Sequence, residues 1–309
     1  IAEICIHIIR LFYFNLSYHK RYKPSFRFTD CKDLIKFGII VTGGNIFNYI
    51  FYQADKIIIG RFLGKNPLGF YSVAFNLAIL PKEKIMPIIT QLSFSAYSMI
   101  QDDVTRIKSN LLKTIEAVSF IAFPLFWGMA SVGAEALPLI LGPHWMQATI
   151  PFIFLCIITP FLSISPIYPS VLNAIGKPSV VFLNSLIEAL ILVLAIFIGV
   201  RFGLRGICIA WLCFYPIAFL IISQRSLSAI DLGMNHLYAR LRFPVFASLG
   251  MSSLVLLIKK MLAGSVNPIS ILLVSIVIGS ATYGLLSIVY KKDEIMKLRR
   301  IFSTGSRGS

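Results

Sequence analysis

The stretch AFNLAILPKEKIMPIITQLSF (Ala74–Phe94) places Lys82, Glu83 and Lys84 between Pro81 and Pro87 inside an otherwise apolar run. If these charges form a loop between two membrane spans, the apolar residues before them must cross alone. Residues 68–80 supply only ~20 Å of helix at ~1.5 Å per residue, against a hydrocarbon core of ~30 Å. The triplet is therefore expected inside one long helix, bent or unwound at prolines that each free a backbone carbonyl. Charges at that depth are tolerated against protein or a water-filled vestibule. The competing reading is an interfacial cluster whose lysines snorkel to one surface.

Composition agrees that the solvent is lipid. Of 309 residues, 57% are hydrophobic and only 14% charged, too little polar surface to cover soluble cores. Spans of about 20 apolar residues fall at 37–59, 68–93, 114–141, 149–174, 178–200, 204–223, 243–262 and 268–290. Helices follow because lipid cannot satisfy backbone amides. The opening run, residues 1–16, is too short to cross and is read as the end of a truncated transmembrane helix. A fragment of a longer polypeptide is therefore expected. Residues 17–36 form a basic cytoplasmic linker, and residues 291–309 a charged cytoplasmic tail.

The formal charge of +16 is distributed by topology. Nineteen lysines and arginines fall in the connections on one side of the spans and six on the other. The richer side is expected to be cytoplasmic, with the C-terminus inside. Attraction to anionic headgroups of the phospholipid bilayer accounts for the basic balance, and no nucleic-acid partner is expected. Five separated cysteines give neither a C-x-x-C pair nor a disulfide framework.

Signatures of chemistry are missing. There is no phosphate loop, and Gly60, Gly64 and Gly69 lack a strand-to-helix setting. Four scattered histidines offer no zinc pattern, so neither a metal site nor an enzyme is expected. Asp102 and Asp103 read as a solvated pair.

Polar residues inside the spans are more informative. Asn45, Asn48, Tyr52 and Asp55 recur at steps of three and four, on one helix face, with Gln53 and Lys56 close by. Such a stripe lines a cavity or glues a helix interface. Asp55, followed by three isoleucines, reads as a buried acid or as the partner of Lys56. Lys82 and Lys84 would suit an anionic ligand head, moderated by Glu83. Glu116 and Glu135 lie near span ends, where they reach water. Asn184 and Glu188, one turn apart, suit a cation site or proton relay, or an interhelical hydrogen bond.

The run LIKFGIIVTGGNIFNYIFYQADKIIIGRFLGKNPLGFYSVAFNLAILP (Leu34–Pro81) resembles the start of the second half of polysaccharide flippases. These belong to the multidrug/oligosaccharidyl-lipid/polysaccharide exporter superfamily. FPLFWGMASVGAEALPLILGPHW (Phe123–Trp145) and LNAIGKPS (Leu172–Ser179) resemble the segments that follow, in order, over residues 30–230. The nearest likeness is to exporters of the colanic and teichuronic acid type.

The resemblance implies an all-α polytopic membrane bundle, the C-terminal lobe of a fourteen-helix transporter. Residues 37–223 would be its six-helix lobe and residues 224–290 two additional transmembrane helices. It implies flipping of undecaprenyl-diphosphate-linked oligosaccharide across the bacterial inner membrane by alternating access. No cofactor is implied, with Na+ or H+ as the coupling ion, and polysaccharide polymerase or export machinery is the implied protein partner. Asp55 matches an acid that looks like part of a sodium site in related lipid II flippases, with Asn184 and Glu188 as candidates to complete it. Where those relatives carry a cavity arginine, this chain has Asn76, leaving Lys82 and Lys84 as the candidate substitutes. The rival readings are a cation-coupled multidrug antiporter and a membrane enzyme acting on polyprenyl-linked sugars. Without an N-terminal lobe, these residues alone are expected not to transport.

Overall fold

A computed structural model describes residues 32–99, 103–262 and 267–290, together with Tyr13. The opening stub, most of the 17–36 linker, Asp102 and the 291–309 tail lie outside the described residues.

Among the described residues the regular structure is helical throughout. Helix α1 is Lys32–Phe62, α2 Lys65–Met99 and α3 Val104–Leu141. A 3-10 segment, Pro143–Ala148, leads into α4 (Thr149–Ile164) and the short α5 (Ile167–Ala174). Helix α6 is Pro178–Gly199, joined through Val200–Phe202 to α7 (Gly203–Ser228), and α8 (Met234–Leu262) and α9 (Pro268–Tyr290) follow. The chain divides into two compact units, Ile1–Ile39 and Ile40–Ser309. Everything described below belongs to the second.

Among the described residues, five stretches are long and apolar enough to cross a membrane: Val104–Leu141, Pro143–Ala174, Pro178–Ser228, Met234–Leu262 and Ile269–Tyr290. The third of these contains both α6 and α7. Helices α1 and α2 exceed a bilayer in length but fall short on composition, because Asn45, Asn48, Asp55 and Lys56, and then Lys82, Glu83 and Lys84, interrupt their apolar runs.

The region around Pro81 and Pro87 forms one helix, which stays wound through both prolines. The triplet thus lies inside one long helix, as expected, and of the two forms expected at the prolines, bent or unwound, the unwound one does not occur. The chain breaks instead at Ser165–Pro166, inside what had read as a single 149–174 span. Pro166 cannot donate to the i−4 carbonyl and its ring crowds the preceding turn. Ser165 caps the break, its Oγ lying 3.0 Å from the Tyr215 hydroxyl of α7.

Packing is organised around aromatic rings and small residues. Phe51 of α1 meets Trp211 and Tyr215 of α7 at centroid distances of 5.5 and 5.8 Å. Trp211, Tyr71, Tyr168 and Tyr215 are fully buried. Helices α6 and α7 touch backbone to backbone at Gly199 and Gly206, where an added Cβ on either glycine would strike the other's carbonyl oxygen. Gly43 of α1 lies against the Phe182 ring of α6, and Gly44 packs on the Phe182 backbone at ordinary contact distance. Helices α8 and α9 pack on α3 and on each other, away from this centre.

Candidate functional site

The site starts from the polar stripe of α1. Asn45, Asn48 and Tyr52 line a cavity of about 400 Å³ whose opposite wall is Asn184, Ser185 and Glu188 of α6. The broken α4–α5 segment closes it with Ser165, Pro166, Tyr168, Pro169, Ser170 and Asn173. Thr90 of α2 and Ile222 of α7 complete the wall. A helix interrupted at membrane depth is tolerated because its freed backbone faces a polar hollow.

Several polar side chains in the wall are held by their neighbours. Asn184, buried on α6, donates through Nδ2 to Ser226 Oγ at 2.9 Å and accepts from Arg225 Nε at 3.0 Å. Tyr168 donates to Ser223 at 3.0 Å. Glu188, also buried, lies beside Tyr215. Asn173 Oδ1 has no hydrogen-bond partner among the described residues, which leaves an acceptor free at the cavity wall.

The charged triplet separates. Lys82 turns inward, only 8% exposed, and donates to the Tyr52 hydroxyl at 2.6 Å. It does not itself line the cavity but lies behind Tyr52. Glu83, Lys84 and Asn76 are exposed and do not line it. Asp55 is fully buried one turn beyond Tyr52, outside the cavity wall. Its Oδ2 accepts from the Tyr71 hydroxyl at 2.6 Å and its Oδ1 from the Lys56 backbone N–H at 2.6 Å. The Lys56 ammonium lies 4.7 Å from the centroid of the Phe75 ring. The three cation-coupling candidates thus occupy two places, with Asn184 and Glu188 at the cavity and Asp55 against α2.

Sequence reasoning missed the α4–α5 contribution. The signal was present in SISPIYPS (Ser163–Ser170), two prolines among small hydroxyl residues inside an apolar run. It also missed Arg225, which had counted only toward topology and which here orients Asn184. Among the described residues no three His, Cys, Asp or Glu side chains cluster as a metal site.

Residues 1–150 match a family model described as "Polysaccharide biosynthesis protein". The lipopolysaccharide biosynthesis protein WzxC of Escherichia coli (strain K12) is 29% identical over 66% of this chain and 42% of its own length. The teichuronic acid biosynthesis protein TuaB of Bacillus subtilis (strain 168) is 28% identical over 63% of this chain and 40% of its own. The chain therefore spans only about two-fifths of these relatives. Among solved structures, the lipid II flippase MurJ in an inward closed conformation superposes with a TM-score of 0.65 over 93% of this chain and 60% of that one. At 17% identity that likeness shows the fold. Sequence and fold together bear out the resemblance to the polysaccharide flippases of the multidrug/oligosaccharidyl-lipid/polysaccharide exporter superfamily, in an all-α, multi-pass membrane bundle.

Proposed function

We propose that this chain forms the C-terminal lobe of a transporter that moves an undecaprenyl-diphosphate-linked oligosaccharide from the inner to the outer leaflet of the bacterial cytoplasmic membrane. The observation that carries the reading is the hollow itself. A cavity of about 400 Å³, walled by Asn45, Asn48, Tyr52, Asn173, Asn184, Ser185 and Glu188, lies among helices built for lipid. That volume is within the ~300–1,000 Å³ of small-ligand sites. Amides and hydroxyls are the groups that hydrogen-bond sugar hydroxyls, and here Asn45, Asn48 and Tyr52 face a hollow.

In this reading α1, with its polar stripe, is one wall of an alternating-access chamber, and a second lobe supplies the other. Residues 37–223 act as the six-helix lobe and 224–290 as an accessory pair, with the C-terminus in the cytoplasm and the basic connections on that side. Asn45, Asn48 and Tyr52 contact the glycan. Lys82 tunes Tyr52 and Glu188 from behind, whereas Glu83, Lys84 and Asn76 meet substrate only in a different conformation. Asn184 and Glu188 form the coupling-ion site, and Asp55 joins them when α1 moves. The protein is a transporter rather than an enzyme, and polymerase or export machinery takes up its product.

Deletion of the gene tests this. Lipid-linked repeat units should accumulate on the cytoplasmic side and surface polysaccharide should be lost, with mass spectrometry of the lipid fraction naming the sugars. Normal surface glycan with no accumulated intermediate would refute the assignment.

A further inference from the structure

Lys82 is a buried ammonium with few partners. Its side chain packs beside a gap of only about 30 Å³ lined by Pro81, Ile85, Met86, Val118, Phe126 and Ser163. Its described hydrogen bond is to the Tyr52 hydroxyl at 2.6 Å, and the ammonium also lies 4.8 Å from the centroid of the Tyr52 ring. Among the described residues, the ion pairs within 4 Å are Arg240–Glu116 and Lys259–Glu135, so Lys82 touches no carboxylate directly. On the opposite wall of the cavity from Tyr52 stands the buried Glu188. It lies beside Tyr215 and within electrostatic reach of Lys82. Tyr215 in turn is tied to Ser165 at the α4–α5 break. Lys82 and Glu188 therefore share one buried region without contact, with Asp55 one turn beyond Tyr52 held by Tyr71 and Arg225 bonded to Asn184, one turn from Glu188.

A lone charge in such a bundle is strongly disfavoured, and two opposite charges compensate even when separated by a ring. Adding a second cation beside Glu188 would leave the pair with net positive charge. Removing Lys82 would leave a buried carboxylate that must take up a proton or recruit a cation from solution.

We propose that Lys82 is the resident counter-cation of Glu188, and that a sodium ion binds at Glu188 only when the Lys82 ammonium is withdrawn or removed. The substrate-free cavity then carries its own cation, and loading of a coupling ion is gated by movement of α2 relative to Tyr52. This deepens the coupling-site assignment and rests on the flippase reading for its purpose, though not for its chemistry.

The test is thermal unfolding of the complete protein in detergent, in sodium chloride and in choline chloride at equal ionic strength. Wild type and Lys82→Arg should melt at the same temperature in both salts. Lys82→Met should melt lower in choline and recover by about 4 °C in sodium, as expected for a ligand that binds only the folded state. The double variant Lys82→Met/Glu188→Gln should be insensitive to sodium and more stable than Lys82→Met alone, since neither charge is stranded. Equal response of Lys82→Met to both salts would overturn the proposal. So would a sodium response in wild type as large as in Lys82→Met, or one that survives Glu188→Gln. If Lys82→Met cannot be recovered, Glu188→Gln provides the other arm. It should lower the melting temperature by stranding Lys82, and the double variant should restore it; absence of that restoration overturns the idea. Failure of the flippase reading would appear in the lipid intermediates of the deletion strain and leave these melting temperatures unchanged.

Discussion

Asp55 illustrates how much one residue's surroundings decide. A buried carboxylate must find donors, and Asp55 finds two, the Tyr71 hydroxyl and the Lys56 backbone N–H. The ammonium of Lys56, its neighbour in sequence, lies over the face of Phe75 instead. Hydrogen bonds to charged groups contribute more than neutral ones, and a stranded acceptor costs about 1–3 kcal/mol or more. Tyr71→Phe should therefore destabilise the protein by roughly that amount, measured by unfolding in detergent. Lys56→Gln, which keeps the backbone donor, should cost clearly less. The opposite order would mean that the ammonium, not the phenol, holds Asp55. That Asp55 is buried was legible in the sequence, because three isoleucines follow it. Its partner was not, since Tyr71 lies 16 residues away on the next helix and nothing local marks which tyrosine turns inward.

Among the elements, α6 and α7 come closest. Gly199 and Gly206 let two backbones meet where any Cβ would strike a carbonyl oxygen, and backbone cannot step aside as a flexible side chain can. Small residues of this kind let helices approach in lipid, where packing rather than water drives association. Gly206→Val should prevent a stable α6–α7 pair and leave little protein extractable in monodisperse form. Gly250→Ala on α8, where an added Cβ meets nothing within 4 Å, should change stability by less than ~0.5 kcal/mol. Comparable yields of the two variants, assessed by size-exclusion chromatography, would sink this reading. The helices themselves were legible from apolar length, to within a few residues at most ends. The α4–α5 break was not, because apolar periodicity is blind to where a proline interrupts a span and where it is absorbed. Pro81 and Pro87 sit in a helix that tolerates them, with Thr90 Oγ1 donating 3.0 Å to the Met86 carbonyl. Pro166 coincides with Ser165, whose hydroxyl lies within hydrogen-bonding distance of a tyrosine on another helix. A sequence cannot display that long-range contact.

Across the whole molecule, two ion pairs measure the membrane. Arg240–Glu116 and Lys259–Glu135 both join α8 to α3 at 2.6 Å. The pairs are separated by the same number of residues on each helix, which requires α3 and α8 to run in the same direction. At ~1.5 Å per residue that separation is about 28 Å, close to the ~30 Å thickness of a hydrocarbon core. Each pair thus sits near one edge of the apolar layer, where its charges reach water or headgroups without being dragged through lipid. Between them α3 and α8 present apolar side chains, and Tyr283 of α9 fastens to the Phe120 carbonyl at 2.9 Å. This geometry makes a labelling prediction independent of transport. In a cysteine-free background, single cysteines replacing the exposed Arg242 and Lys260 should react with a membrane-impermeant thiol reagent from opposite faces of sealed vesicles. In the proposed orientation residue 242 faces the cytoplasm, so in right-side-out vesicles only the cysteine at 260 should be modified. Modification of both from one face would contradict a membrane-crossing α8. Modification of 242 alone would keep the crossing and reverse the orientation, because the ruler fixes the thickness of the layer while only the charge bias decides which edge faces the cytoplasm.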